Sequence, residues 1–283
     1  MDRNLDFYRI EQKRAKKDFD EFPPCSHCGS TKNVEKFRRK SGFRIVECEN
    51  CGLWFTSPRL DEKTWEHYLR YPYLPRNITV TEYRLHYGVS VESNIGGKKV
   101  GGGWRKRVTD RNIELLEIIQ HQFGRRVSRL HDVGCGVGFL IQDANQMGIK
   151  ASGNDLNGYA CKIMKDEYGL DVYEGNLNEI NIEKESIDVM IMNDFIEHTY
   201  HPAEDLRVAR ELLTDTGMLF LETFYIDSTR FENEGWNWGM LTWPHLYHFS
   251  RATLTAMLES TGFKVEKIIP KENGIMQIFA RKN

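Results

Sequence analysis

Residues 129–139 read RLHDVGCGVGF, a short apolar run followed by Gly134, Gly136 and Gly138 at every second position. A loop of this kind between a strand and a helix offers backbone N–H groups and a helix N-terminus to a ligand, and glycine lets that ligand approach the main chain. Its spacing separates the nucleotide classes. A dinucleotide loop needs G-x-G-x-x-G or a terminal alanine, but counting from Gly134 the sixth position is Phe139. A phosphate loop needs a lysine directly after its last glycine, and none follows Gly138 before Lys150. Asp155 stands 21 residues past Gly134, at the end of the next expected strand, where a carboxylate can accept hydrogen bonds from both ribose hydroxyls. The loop therefore suits a ligand that has a ribose and lacks a pyrophosphate.

Working outward, strand and helix signals alternate. NIELLEIIQHQF, FLIQDANQM, YACKIMKDEY and PAEDLRVARELL read as helices, whereas VSRLHDV, KASGNDL, DVYEGNL, IDVMIMN and GMLFLETF read as strands. That rhythm predicts an α/β domain with a parallel sheet covered on both faces. Residues 225–249 break it with an aromatic insertion before the helix SRATLTAMLESTGF. KVEKIIP and IMQIFARK then flank Glu272-Asn273-Gly274, a hairpin signal that closes the sheet with an antiparallel pair. The domain is expected over 111–283.

The ordered set HDVGCGVG, GNDLN, EGNL and IMNDFIEH resembles the class I methyltransferases that use S-adenosylmethionine, over roughly residues 110 to 283. The resemblance implies a Rossmann-like sheet in which Asp132, Gly134, Gly136 and Gly138 surround the methionine and ribose portions of that cofactor. It implies that Asp155 holds the ribose, that Leu156 lies against adenine, and that Asn176 and Leu177 meet the adenine edge and face. Asn193 falls where the family lines the methionine end. Many relatives carry aspartate where this chain has Asn176; an amide keeps one acceptor for an adenine amine and adds a donor. Glu197 and His198 are similar to a Glu-His pair that packs beneath the cofactor in the family, so they and His201 stay outside the catalytic set.

Ahead of this domain, Cys25-x2-Cys28 and Cys48-x2-Cys51 are separated by 19 residues, the spacing of a zinc ribbon. Gly29 and Gly52 follow the two pairs and can take the left-handed turn that aims N–H groups at thiolates. A unit of this size cannot bury enough surface to hold itself, so a structural metal decides whether residues 23–57 fold. Four cysteine ligands leave no open coordination position and hence no metal catalysis; zinc and iron both fit the set. Between the pairs, KFRRKSGFR supplies Lys36, Arg38, Arg39, Lys40 and Arg44, cations that either meet an anion or keep a hairpin edge from pairing.

His245 and His248, in HLYHFS after the insertion, are the candidates for catalysis. A hydroxyl attacking a sulfonium methyl benefits from a base that titrates near neutrality, with His245 the first choice and His248 the second. Ser250 is expected to cap the following helix and Phe249 to staple onto Leu254. Residues 1–22 form a loosely amphipathic arm ended by Pro23-Pro24, and residues 58–110 form an aromatic and Gly/basic connector or lid. In it, IGGKKVGGGWRKR reads as a mobile loop whose Lys98, Lys99, Arg105, Lys106 and Arg107 suit a diphosphate. Trp236, Trp238, Trp243 and the tyrosines between 68 and 87 are expected mostly to pack, with two or three touching substrate.

Ribbon spacing, CGLWFTSPR and HLYHFS together extend the resemblance to bacterial zinc-ribbon methyltransferases of surface-polysaccharide and nucleotide-sugar pathways. Sugar C-methyltransferases of that kind carry a further C-terminal domain, and this chain ends after its closing hairpin; the expectation is O-methylation of a sugar, nucleotide-linked or a glycan precursor, in surface-polysaccharide biosynthesis. Two rivals stay open. One is an RNA methyltransferase gripping phosphate with the ribbon and basic loop; against it, NDFIEH is not an N-P-P-Y loop and the net charge is −2. The other is a nucleotide-binding regulatory protein without turnover. The N-terminus lacks the apolar core of a secretory signal and no run nears 18 apolar residues, so a cytoplasmic protein without a membrane span is expected. Oligomeric state stays open.

Overall fold

The structure is a computed structural model that describes residues 21–39, 42–70, 93–95, 98–100 and 102–283. Apart from Glu21 and Phe22, the expected N-terminal arm lies outside the described residues, as do Tyr71, Tyr73, Tyr83 and Tyr87 and the side chains of Tyr68, Lys98, Lys99 and Arg105.

The first elements are β1 (Asn33–Arg38), β2 (Arg44–Cys48), β3 (Trp54–Thr56), α1 (Glu62–Arg70), β4 (Ser93–Ile95), β5 (Lys98–Val100) and α2 (Gly102–Phe123). There follow β6 (Arg129–Val133), α3 (Phe139–Gln146), β7 (Lys150–Asp155), α4 (Gly158–Tyr168), β8 (Asp171–Glu174), β9 (Ile187–Asn193), α5 (Pro202–Leu212) and β10 (Leu213–Phe224). The chain closes with α6 (Thr229–Glu234), β11 (Tyr247–His248), α7 (Arg251–Ser260), β12 (Phe263–Pro270) and β13 (Ile275–Lys282). Seven strands form one sheet in the order β12-β13-β10-β9-β6-β7-β8. Neighbours β9, β6, β7 and β8 run parallel, and β12 and β13 pair antiparallel.

Two compact units divide the chain: 66–192 with 211–220, called here the nucleotide half, and 1–65 with 193–210 and 221–283, called the ribbon half. Within the nucleotide half, the continuous apolar run of β9 is buried along almost its whole length, as a strand covered on both faces must be. Helix α4 begins where the Asn157 side chain accepts from the Ala160 N–H at 3.1 Å and ends at Gly169 in the left-handed conformation. The basic glycine-rich segment, read from sequence as a mobile loop, differs: β4 pairs with β5, and α2 already starts at Gly102.

In the ribbon half, β1-β2-β3-β11 form a four-stranded sheet. Only two strands were expected of the ribbon. The fourth is the histidine segment, with Tyr247 opposite Phe55 and His248 opposite Trp54. Helix α7 is capped as expected: Ser250 Oγ accepts from the Thr253 N–H at 3.1 Å and Thr253 Oγ1 accepts from the Ser250 N–H at 2.9 Å. The closing turn is wider than a two-residue Asn-Gly hairpin. Pro270 and Met276 are the last register pair, and Gly274 alone takes a positive φ, so the type I′ requirement for two such residues is not met.

Candidate active site

The glycine loop is built by backbone strain that only glycine tolerates. Gly134, Gly136 and Gly138 have φ of +71°, +57° and +69°. Gly134 and Cys135 N–H groups both donate to the Asn154 carbonyl, at 2.8 and 2.9 Å, which ties the end of β6 to β7. At Gly138 a Cβ would collide with the end of the Met164 side chain, whereas at Gly136 it would meet nothing within 4 Å. Gly138 is thus required by packing, and Gly136 leaves open space in front of the main chain.

Asp155 is pinned to that loop. Its Oδ2 accepts from the Gly136 N–H at 2.9 Å and its Oδ1 from the Asn157 N–H at 2.8 Å. Burial raises its pKa, against those two hydrogen bonds. Asp132 is 5% exposed, and burial, with the charge of Asp155 second, pushes it up to about 8. A buried and a half-buried carboxyl beside one glycine loop favour a cationic ligand, which would stabilise their ionised forms. The donor set therefore fits S-adenosylmethionine, whose sulfur and amine are positive.

Asn176 follows Gly175, whose N–H donates to the Asp155 carbonyl at 3.0 Å. Leu177 is buried and Leu156 half-buried beside these groups. Several supporting residues were given no role from the sequence. His131 spans Ser152 Oγ at 2.9 Å and Asn154 Oδ1 at 3.0 Å, and Asn154 Nδ2 donates to the Gly175 carbonyl at 2.9 Å, a chain that crosses three strands. Burial lowers His131 to about 4, so it is neutral in this role. Glu66 and Arg70 of α1 were also missed: Asn176 Nδ2 donates to Glu66 Oε1 at 2.8 Å and Arg70 lies 3.2 Å from Glu174 Oε1. Asn193 falls in the ribbon half, its Nδ2 3.4 Å from Asp194 Oδ2 and its buried Oδ1 without a partner among the described residues.

The ribbon half gathers the histidines. Thr56 Oγ1 donates to the His245 carbonyl at 2.8 Å and Thr56 N–H to the Leu246 carbonyl at 2.9 Å, so the third ribbon strand fixes the histidine segment. His245 Nδ1 lies 2.6 Å from the Met240 carbonyl and His198 Nδ1 lies 3.2 Å from the Pro244 carbonyl. A carbonyl only accepts, so both rings carry their proton on Nδ1 and a lone pair on Nε2. Burial lowers His245 to about 4 and, with His245 as a second cause, His198 to about 3. A base titrating near neutrality was expected; desolvation instead keeps the ring neutral far below that. His248 is fully buried, its pKa well depressed by burial and then by His245, and neither ring nitrogen has a partner among the described residues.

Glu197, His198 and His245 bring ligand atoms within 4.8 Å of one another, a set able to hold a divalent cation. Burial, then the charge of Asp194, pushes Glu197 up to about 8, and its buried Oε2 has no partner among the described residues. Aromatic residues wall this region. Trp65 Nε1 donates to the His198 carbonyl at 2.9 Å, and its ring meets Trp243 edge-on at 4.8 Å. Trp236 stacks on Phe37 and Trp54 at 5.1 and 5.7 Å and remains 38% exposed.

The four cysteines also converge. Cys25, Cys28, Cys48 and Cys51 offer sulfurs within 4.8 Å of one another. The Cys25–Cys51 and Cys28–Cys48 sulfurs are 3.5 Å apart, too far for a disulfide and close to the edge of about 3.8 Å in a tetrahedron with 2.3 Å zinc–sulfur bonds. Gly29 and Gly52 have the expected positive φ, and backbone N–H groups of His27 and Cys28 serve the Cys25 sulfur. The residues therefore fit a structural zinc. The cations of the ribbon are engaged elsewhere: Lys36 pairs with Glu47 at 2.9 Å, Arg38 and Arg44 reach Glu35, and Arg39 donates to the Leu241 carbonyl at 2.9 Å. Lys40 lies outside the described residues.

Residues 104–268 match the family model described as a methyltransferase domain. The chain belongs to that family. It has the Rossmann-like sheet and closing antiparallel hairpin of that fold. Curated relatives of this methyltransferase include the ubiquinone biosynthesis O-methyltransferase of Nitrosococcus oceani, 28% identical over 127 residues, 42% of this chain and 52% of the relative. The protein so named from Haemophilus ducreyi is 31% identical over 111 residues, 36% of this chain and 46% of its own length. The chain thus spans about half the length of the curated relatives it matches. Among solved structures, the Burkholderia thailandensis 1,6-didemethyltoxoflavin-N1-methyltransferase, bound to 1,6-didemethyltoxoflavin and S-adenosylhomocysteine, shares the fold with a TM-score of 0.54. That likeness runs at 15% identity over 88% of this methyltransferase and 99% of that chain. No helix among the described residues is long and apolar enough to cross a membrane.

Proposed function

We propose that the protein transfers the methyl group of S-adenosylmethionine to a hydroxyl of a small molecule. The observation that carries this reading is the tautomer of His245: Nδ1–H is engaged by the Met240 carbonyl, so Nε2 carries the lone pair. When bound, the donor supplies an electrophilic methyl group on a cationic sulfur. The chain's own residues hold it and move a proton. Asp155 anchors the ribose, Asp132, Gly134, Gly136 and Gly138 surround the methionine and ribose portions, Leu156, Asn176 and Leu177 receive adenine, and Asn193 lines the methionine end. His245 Nε2 takes the hydroxyl proton as the oxygen attacks, with His248 the second choice. Positioning contributes about 7 to 11 kcal/mol to such a transfer and a base roughly 10² to 10⁴ in rate. Cys25, Cys28, Cys48 and Cys51 hold a structural zinc.

The acceptor placed first is a sugar, nucleotide-linked or a glycan precursor, supported by the resemblance of the ribbon and HLYHFS. A second reading follows the names of the curated relatives and takes an acceptor of ubiquinone biosynthesis. Metal-loaded protein with labelled donor is offered nucleotide sugars, demethylated ubiquinone precursors and RNA. Label in the sugar supports the first reading and label in the quinone precursor the second; transfer to RNA alone sinks both. His245→Ala is expected to lower kcat at least about 10²-fold with donor affinity retained. A loss below about fivefold assigns the ring to packing.

A further inference from the structure

Asn176 is held from both ends. Its N–H donates to Glu179 Oε2 at 2.8 Å and its carbonyl accepts from the Glu179 N–H at 3.0 Å. Gly175, just before it, is bonded to Asp155 and Asn154. The turn that carries the amide is therefore wired to the strand that carries the ribose acid. The side chain is held separately: Nδ2 donates to Glu66 Oε1 at 2.8 Å, and Arg70, which bonds Glu174, lies 4.0 Å from Glu66 and steadies its carboxylate.

An asparagine is ambiguous by itself, because rotating the amide exchanges a donor for an acceptor. An ionised carboxylate removes the ambiguity. Glu66 can only accept, so Nδ2 has to face it and Oδ1 has to face away. No described residue donates to Asn176 Oδ1. We propose that Glu66 is a specificity-positioning residue that turns Asn176 into a pure acceptor, so that the crevice takes a 6-aminopurine nucleoside and rejects its 6-oxo counterpart. The inference rests on the adenosyl-site reading of the glycine loop, and it accounts for the amide at this position. Aspartate here would place two carboxylates in contact, whereas the Glu66–Asn176 pair presents an acceptor with one charge fewer.

Isothermal titration of the full-length protein with S-adenosylhomocysteine and with S-inosylhomocysteine, its 6-oxo analogue, tests this directly. Wild type is expected to prefer the amino compound by at least about tenfold, the worth of one hydrogen bond exchanged for an acceptor–acceptor contact. In Glu66→Gln the glutamine amide can donate to Asn176 Oδ1, freeing Nδ2 to face the ligand, and the preference should fall to within about threefold of unity. Glu66→Ala, which frees the amide to rotate, should lower it in the same direction. In an Asn176→Ala background, Glu66→Gln should change nothing further. A role for Glu66 in merely tying α1 to the sheet would weaken both ligands equally, so an unchanged ratio in Glu66→Gln overturns the proposal. So does a further change in the Asn176→Ala background. No binding of either ligand to wild type would take down the adenosyl-site reading itself, together with what rests on it; binding with an unchanged ratio takes down the inference alone.

Discussion

The nucleotide half and the ribbon half reach their sites by different routes. In the first, the groups that matter come from three short consecutive stretches, 129–139, 150–158 and 171–177, and much of the site is backbone: positive-φ glycines and N–H groups aimed at one carboxylate. In the second, bonds joining distant segments do the positioning. Thr56 reaches His245, Arg39 reaches Leu241 and Trp65 reaches His198. A site made of local backbone is specified wherever its loop is; a site made of long-range bonds exists only once the ribbon has folded.

Denying the ribbon its proposed zinc should sharpen that contrast most strongly, since a structural zinc contributes apparent free energy on the order of 10 kcal/mol. In Cys48→Ser, or after chelation, the ribbon strands are expected to unfold. The Thr56 amide, which bonds Leu246, should then lose hydrogen-exchange protection together with Tyr247. The Gly134, Cys135 and Gly175 amides should keep theirs. Equal loss in both halves would mean that the contrast is false and the chain opens as one unit.

Within the nucleotide half, two glycines two positions apart should part company. Gly138→Ala adds a collision with Met164 and Leu170 to a left-handed backbone and is expected to cost about 3 kcal/mol in a urea melt. Gly136→Ala meets no atom, so only its φ is penalised, about 1 kcal/mol. Its new methyl group, however, projects into the space assigned to the donor, and S-adenosylmethionine affinity should fall at least tenfold. A Gly136→Ala variant that binds the donor normally would move the ligand away from this loop.

The same division explains what could be read before folding was considered. The glycine spacing, Asp155 and the cysteine pairs were legible because each is a local pattern with its own geometry, and strand β9 because a buried parallel strand is one apolar run. Tyr247-His248 as the fourth ribbon strand was not legible: two residues carry no periodicity, and their partners Trp54 and Phe55 lie far back in the chain. Glu66 was hidden for a related reason, since a carboxylate on an amphipathic helix reads as solvated surface until the strand end beside it is known. The depressed histidine pKa values follow from burial, which spacing does not encode.

The smallest expected effect, the dependence of stability on pH, tests whether the halves share one electrostatic design. His131, His198 and His245 have folded pKa values of about 4, 3 and 4 against 6.5 unfolded, so the unfolded chain binds more protons between those limits. Their contribution is fully present above pH 6.5 and is lost as pH falls toward 4. Asp132 and Glu197 behave oppositely. Raised to about 8 from 3.8 and 4.5, each contributes stability that is complete below about pH 4 and is lost as pH rises through 8. Among these five groups the two sets offset each other below pH 6.5 and only the acids act above it, so together they should pull the melting temperature down between pH 6.5 and 8. Each acid accounts for about 1 kcal/mol of that decline. Asp132→Asn should remove the part belonging to the nucleotide half and Glu197→Gln the part belonging to the ribbon half. If either variant alone flattens the whole decline, a single buried acid governs the alkaline limb and the halves are not electrostatically alike.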